Sequence, residues 1–126
     1  MHEGEKTEPQ DRRHEIGGEP VQVTDVDFNE MTGKHALVLV VFWASWCGWC
    51  QALAPTIEEL AKEYVGRVLV GKLKADENPQ TVKQFQVFKI PTMLVMKNGK
   101  EVDRIVGYLP FFTKRRIKTL LKKHLK

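Results

Sequence analysis

The run Ala36 to Trp43 is apolar throughout and rich in β-branched residues. Such a run fits a strand buried on both faces, and therefore a sheet covered by helices. It leads through Ala44-Ser45-Trp46 into Cys47-Gly48-Trp49-Cys50. An amphipathic pattern follows. Leu53, Ile57, Leu60 and Tyr64, spaced by four, three and four, form the inner stripe, and Glu58, Glu59, Lys62 and Glu63 the outer face. A buried strand, a short turn and a helix thus frame two thiols.

Those two thiols are the only cysteines in 126 residues. A thiol at a helix start faces free backbone N–H groups and the positive end of the helix dipole. Both favour the thiolate, which is the nucleophile. The second thiol lies about one turn on and can reach the first sulfur. That suffices for dithiol–disulfide exchange. Other uses are weaker. A structural zinc site needs four ligands, and His2, His14, His35 and His124 offer no closely spaced pair. A purely structural disulfide would close a very short loop and remove little unfolded-state entropy.

The length suits one domain with one core. No apolar run approaches the ~18 residues that span a membrane. The first twenty residues carry charges where a secretory signal would have an apolar core. With a lone CxxC this points to a reducing cytoplasm. The net charge of +4 is uneven. Residues 1–20 carry −3, residues 21–110 are neutral, and residues 111–126 carry +7. We read 1–20 as a disordered charged arm and 21–126 as the folded domain. The basic tail lacks interleaved aromatics or a base-reading motif, so no nucleic-acid partner is expected, and its lysines read as a solvated face.

Along the chain, Val21 to Val23 suggests an edge strand. Thr24-Asp25-Val26-Asp27 has the form of a helix start, with Phe28 and Met31 inward and Gly33 at the end. Val68 to Ala75 alternates as a strand. Asn78-Pro79 starts a helix with Val82 and Phe85 inward. Met93 to Met96 and Glu101 to Val106 flank the hairpin turn Asn98-Gly99. The last helix starts near Thr113 and buries Ile117, Leu120, Leu121 and Leu125. The order β-α-β-α-β-α-β-β-α describes an α/β sandwich with a mixed sheet.

Taken together, Phe42-Trp43-Ala44, Trp46-Cys47-Gly48, Cys50, Ala54-Pro55, Asp76-Glu77-Asn78-Pro79, Ile90-Pro91-Thr92, Lys97-Asn98-Gly99 and Val106-Gly107 resemble the thioredoxin family over about residues 21–126. The resemblance implies a thioredoxin-like three-layer α/β/α sandwich with a cis peptide before Pro91. It implies a protein-disulfide reductase with no bound cofactor or metal, whose electrons come through a reversible Cys47–Cys50 disulfide from a thioredoxin-reductase-type partner. Cys47 would attack a substrate disulfide, and Cys50, more buried, would resolve the mixed disulfide. Trp46, Gly48, Trp49, Pro91, Val106 and Gly107 would surround the sulfur, with backbone at Ile90 and Thr92 pairing with a bound peptide. A monomer that meets disulfide-containing proteins is expected.

The chain departs from the family pattern in three places. Trp49 stands where most thioredoxins have proline, which restores a backbone N–H near the sulfurs and favours a more oxidising couple. Val41 stands where the family has a buried aspartate, so Lys72, the family's neighbouring lysine with a possible proton-transfer or electrostatic role, lacks that partner. The connection Tyr108-Leu109-Pro110-Phe111-Phe112 is longer than usual. Phe111 and Phe112 are expected to pack beneath the last helix, the alternative being a wider apolar rim near Gly107. Lys89 adds a basic group near the groove. A disulfide oxidase or isomerase, or a non-catalytic thioredoxin-like binding module, is the competing reading.

Overall fold

The structure, a computed structural model, describes residues 16–126. The expectation of a disordered arm falls mostly on residues 1–15, outside the described residues. Five strands form one mixed sheet: β1 (Val21–Val23), β2 (Leu37–Trp43), β3 (Leu69–Lys74), β4 (Thr92–Lys97) and β5 (Lys100–Val106). Their order is β1-β3-β2-β4-β5. β3 pairs parallel with β1 and β2, while β4 pairs antiparallel with β2 and β5. The helices are α1 (Phe28–Lys34), α2 (Gly48–Glu63), α3 (Pro79–Gln84) and α4 (Thr113–His124), with a short 3₁₀ turn at Ala75–Glu77.

The alternation of β2 divides the core. Leu37, Leu39 and Val41 point to one face and meet Leu53, Ile57 and Leu60 of α2 and Ile117 and Leu121 of α4. Val38, Val40 and Phe42 point to the other and meet Phe28 and Met31 of α1 and Val87 beyond α3. Strand β2 is thus buried on both sides, as its composition requires. Full burial of each such Leu, Ile or Phe contributes about 1.5–3 kcal/mol.

Local signals have recognisable outcomes. The Asp27 carboxylate accepts from the Thr24 N–H at 2.8 Å, one half of a capping box. The helix itself begins at Phe28 and runs through Gly33 to Lys34. Val82 and Phe85 are only partly buried and pack against the α1-side core, where Phe85 meets the Phe28 ring at 5.1 Å. Asn98 and Gly99 take φ of 52° and 82°, the left-handed pair that a tight hairpin needs.

Phe111 and Phe112 correct the expectation of packing beneath the last helix: they are 95% and 55% exposed. Beneath the helix, Ile117 and Leu121 enter the core, and Tyr108, Leu120 and Leu125 pack partly buried against that core.

Candidate redox-active site

The site lies where β2 ends and α2 begins, at the carboxyl end of the central strands. Ala44, Cys47 and Cys50 form a small buried cluster with Trp43 and Ile90 against it. Cys47 is the N-cap of α2, with extended backbone at φ −93° and ψ 113°. It is disulfide-bonded to Cys50 with the Cα atoms 5.2 Å apart. The Cys50 N–H donates to the Cys47 sulfur at 3.2 Å. The first turn of α2 holds no carboxylate, so nothing on that turn opposes a negative sulfur. Its leading N–H groups have no partner within the helix. Gln51 braces the approach loop, its Nε2 donating to the Ser45 carbonyl at 2.7 Å.

The β4–β5 pair brings a second segment to the sulfur. The Ile90–Pro91 peptide is cis, and the Ile90 carbonyl oxygen lies 3.9 Å from Cys47 Sγ. Gly107 donates its N–H to the Pro91 carbonyl at 2.7 Å. Thr92 stands opposite Val106 in the ladder, and the Thr92 hydroxyl donates to the Lys89 carbonyl. The ladder and the Gly107–Pro91 bond hold Pro91, Thr92, Val106 and Gly107 in one segment, and Ile90 at its start meets Cys47. Trp46 and Trp49 are 70% and 59% exposed beside them, and Gly48 is exposed between. Tyr108 packs its ring 6.0 Å from Trp49. Tyr108, marked in the sequence only as the start of the lengthened connection after Gly107, thus joins Trp49 at the site.

Lys72 is placed elsewhere, behind the pair. Its ammonium lies 4.4 Å from the Trp43 ring centroid, a cation–π contact. No carboxylate pairs with it among the described residues. Lys72, Val41, Trp43 and Cys50 line one cavity of ≈ 70 Å³. Cys47 and Cys50 are buried nearly alike, 8% and 6% exposed, so what separates them is direction. Cys47 faces the Ile90 carbonyl, and Cys50 lines the cavity. Among the described residues no group of His, Cys, Asp and Glu is arranged to hold a metal ion.

The thioredoxin family profile matches residues 19–123. The chain belongs to the thioredoxin family. It is 45% identical over 105 residues to thioredoxins of Staphylococcus aureus strains Mu50 and N315, covering 83% of this chain and 97% of each relative. Its fold is similar to that of a single-site mutant of thioredoxin from Halobacterium salinarum NRC-1, with a TM-score of 0.78 and 29% identity over 86% of this chain and 93% of that one. As in other thioredoxins, the activity is thiol–disulfide oxidoreduction, and the Cys47–Cys50 pair makes the protein a disulfide reductase. No helix among the described residues is long and apolar enough to cross a membrane.

Proposed function

We propose that Cys47 is the attacking thiol and Cys50 the resolving one. The observation that carries this reading is the N-cap position of Cys47, whose sulfur accepts the Cys50 N–H at 3.2 Å. A thiolate there gains a hydrogen bond and the field of the helix terminus, and no carboxylate of the first turn opposes it. The Cys47 thiolate attacks one sulfur of a substrate disulfide. The substrate S–S bond breaks, its other sulfur leaves as thiolate and takes up a proton, and a mixed disulfide forms. The Cys50 thiol then gives up its proton and attacks Cys47. The second substrate sulfur leaves, and the Cys47–Cys50 bond closes. Two electrons and two protons have moved from the dithiol to the substrate.

Trp46, Gly48, Trp49, Pro91, Val106 and Gly107 form the apolar collar for the substrate, and the backbone of Ile90 and Thr92 is available for pairing with an extended peptide. Lys72 acts through the cavity it shares with Cys50, as an electrostatic or proton-transfer group. Electrons return to the oxidised pair from a dithiol of a thioredoxin-reductase-type partner. The protein works as a cytoplasmic monomer in electron transport to protein disulfides, with residues 21–126 as the catalytic domain and 1–20 as a charged arm.

The role assignment is tested by trapping. Cys50→Ser should accumulate a covalent complex with a disulfide-bearing protein, and Cys47→Ser should not; the reverse pattern exchanges the two roles. Trp49 and Val41 favour a second reading, a disulfide oxidase or isomerase. Equilibration with a defined thiol buffer separates the two. A potential at or below the poise of the cytoplasm supports the reductase, and one well above it supports the oxidase. A cellular role that survives loss of both thiols would favour a binding module in which the redox pair is secondary.

A further inference from the structure

We propose that the groove along α4, with Phe111 at its edge, docks an acidic stretch of a disulfide-bearing protein partner. The proposal rests on the reductase reading and adds a substrate class to it.

The groove is open, with a volume of ≈ 550 Å³. Tyr64 and Phe111 line it together with Lys114, Arg115, Lys118, Lys122, Lys123 and Lys126. No carboxylate lines it. Glu59 and Glu63 of α2 engage Lys114 and Lys118 at 2.8 and 2.9 Å, and Asp103 lies 3.9 Å from Lys123. Arg115, Lys122 and Lys126 form no ion pair among the described residues.

A merely solvated face explains the cations of the last turn, which suit the helix dipole. It does not explain two local costs at the start of α4. Lys114, Arg115 and Arg116 occupy the first turn of α4, which holds no acid, and the dipole disfavours positive charge there. Phe111 is held at φ +73°, a conformation costly for a bulky side chain, and is 95% exposed. Burial offsets neither cost, and of the three cations only Lys114 is paired among the described residues, with Glu59. The turn is nonetheless well defined: Leu109 donates its N–H to the Thr113 hydroxyl at 2.8 Å, and the Thr113 N–H donates back to the Leu109 carbonyl at 3.0 Å. Phe111 is therefore presented rather than loose.

Position and charge name the occupant. Leu109 and Phe112, 59% and 55% exposed, continue from Tyr108, whose ring meets Trp49 beside the disulfide. Tyr64 of the groove caps the far end of α2 from Cys47, about 25 Å along the helix, so a substrate segment of about eight extended residues joins the disulfide to the groove over this rim. An apolar side chain against Phe111, followed by Asp or Glu residues among the unpaired cations, fits the lining.

The test uses two synthetic peptides that share one disulfide loop. One carries an extension of leucine and glutamates, the other a glycine–serine extension of equal length. Turnover is followed with a small dithiol regenerating the full-length protein. The acidic peptide should have a KM about tenfold lower at low salt, and the difference should vanish at high salt. Arg115→Glu/Lys122→Glu should abolish that preference while leaving kcat and the neutral peptide unchanged. Phe111→Gly should raise the acidic peptide's KM about threefold and raise the thermal midpoint, because glycine accepts the left-handed backbone. Equal KM values for the two peptides in the wild type, or a preference that survives both variants, overturn the proposal. Tighter binding of a single-stranded oligonucleotide of equal charge than of the acidic peptide also overturns it, in favour of nucleic acid. If neither peptide is reduced, the reductase reading falls, and the proposal with it.

Discussion

The N–H of Cys50 donates to the sulfur of Cys47 across 3.2 Å. In one contact it caps α2 and supplies the donor that a thiolate at Cys47 needs. The usual N-cap oxygen is replaced by sulfur, so helix geometry and nucleophile activation share the same atoms. Whatever changes the N–H groups of that first turn should change the redox couple.

Trp49 is the residue through which this can be tested. It occupies the second position of α2, where proline is sterically acceptable but brings no N–H. Losing one donor near the thiolate costs the reduced form about 1 kcal/mol, which for a two-electron couple is about 20 mV. Trp49→Pro is therefore expected to bind reducing equivalents less tightly and to shift the potential about 20 mV more negative. Equilibrium titration against a thiol buffer measures it, and a more oxidising proline variant ends the argument.

Val41 bears on the proton of Cys50. It is 2% exposed and lines the cavity that also holds Cys50 and Lys72. An aspartate there would put a proton acceptor beside the resolving thiol. Val41→Asp should speed resolution of the mixed disulfide near neutral pH by about tenfold and add a titration to its pH profile. Burying the carboxyl should cost about 2 kcal/mol of stability. Stopped-flow tryptophan fluorescence follows the step; an unchanged rate with an unchanged pH profile would falsify the role given to this position.

Asp25 caps α3 from a distance. Its carboxylate accepts from the Thr81 N–H at 2.8 Å, the Thr81 hydroxyl at 2.7 Å and the Gln80 N–H at 3.1 Å. Burial alone would raise its pKa, but these hydrogen bonds outweigh burial and hold it below the usual aspartate value. A depressed folded-state pKa means stability that is present above the unfolded value and lost as pH falls through the folded one. Asp25→Ala should cost about 1 kcal/mol at neutral pH. The gap between variant and wild type should close on acidification below about pH 4. Urea midpoints at neutral and acid pH check this, and a gap independent of pH would refute it.

Gly71 of β3 leaves room for the side chains of Val23 on β1 and Met31 on α1. A Cβ at that position would lie 2.7 Å from Val23 Cγ2 and 3.3 Å from Met31 Cε, and both neighbours are fully buried. Gly71→Ala should destabilise by about 1–3 kcal/mol through overpacking. Denaturant midpoints measure the loss. A variant as stable as the wild type would mean that β1 and α1 move apart freely.

Much of the molecule is legible in the sequence alone. The order of elements, the doubly buried β2 and the α2 stripe follow from periodicity and side-chain type. The hairpin at Asn98-Gly99 is equally local, because its φ values belong to the residue types. What escaped was non-local or competitive. Asp25 reads as part of a local helix start, and nothing nearby marks it as the cap of a helix 56 residues on. Lys72 and Trp43 meet because the register sets Lys72 beside Val41 on adjacent strands. Phe111 and Phe112 look like core by hydrophobicity, but beneath α4 it is Ile117 and Leu121 that enter the core, with Tyr108, Leu120 and Leu125 packed against it.

The sequence by itself determined the class of chemistry, because two thiols at a helix start after a buried strand leave few other uses. It also determined the layers of the sandwich, since alternation along β2 commits each side chain to a face. Only the tertiary structure decided which surfaces the chemistry meets. The fold brings Ile90 to Cys47 from 43 residues away and ties Gly107 to Pro91, and packing leaves Phe111 outside with the cations of α4. Such contacts depend on how elements fill shared space, and neither local propensity nor residue spacing records that.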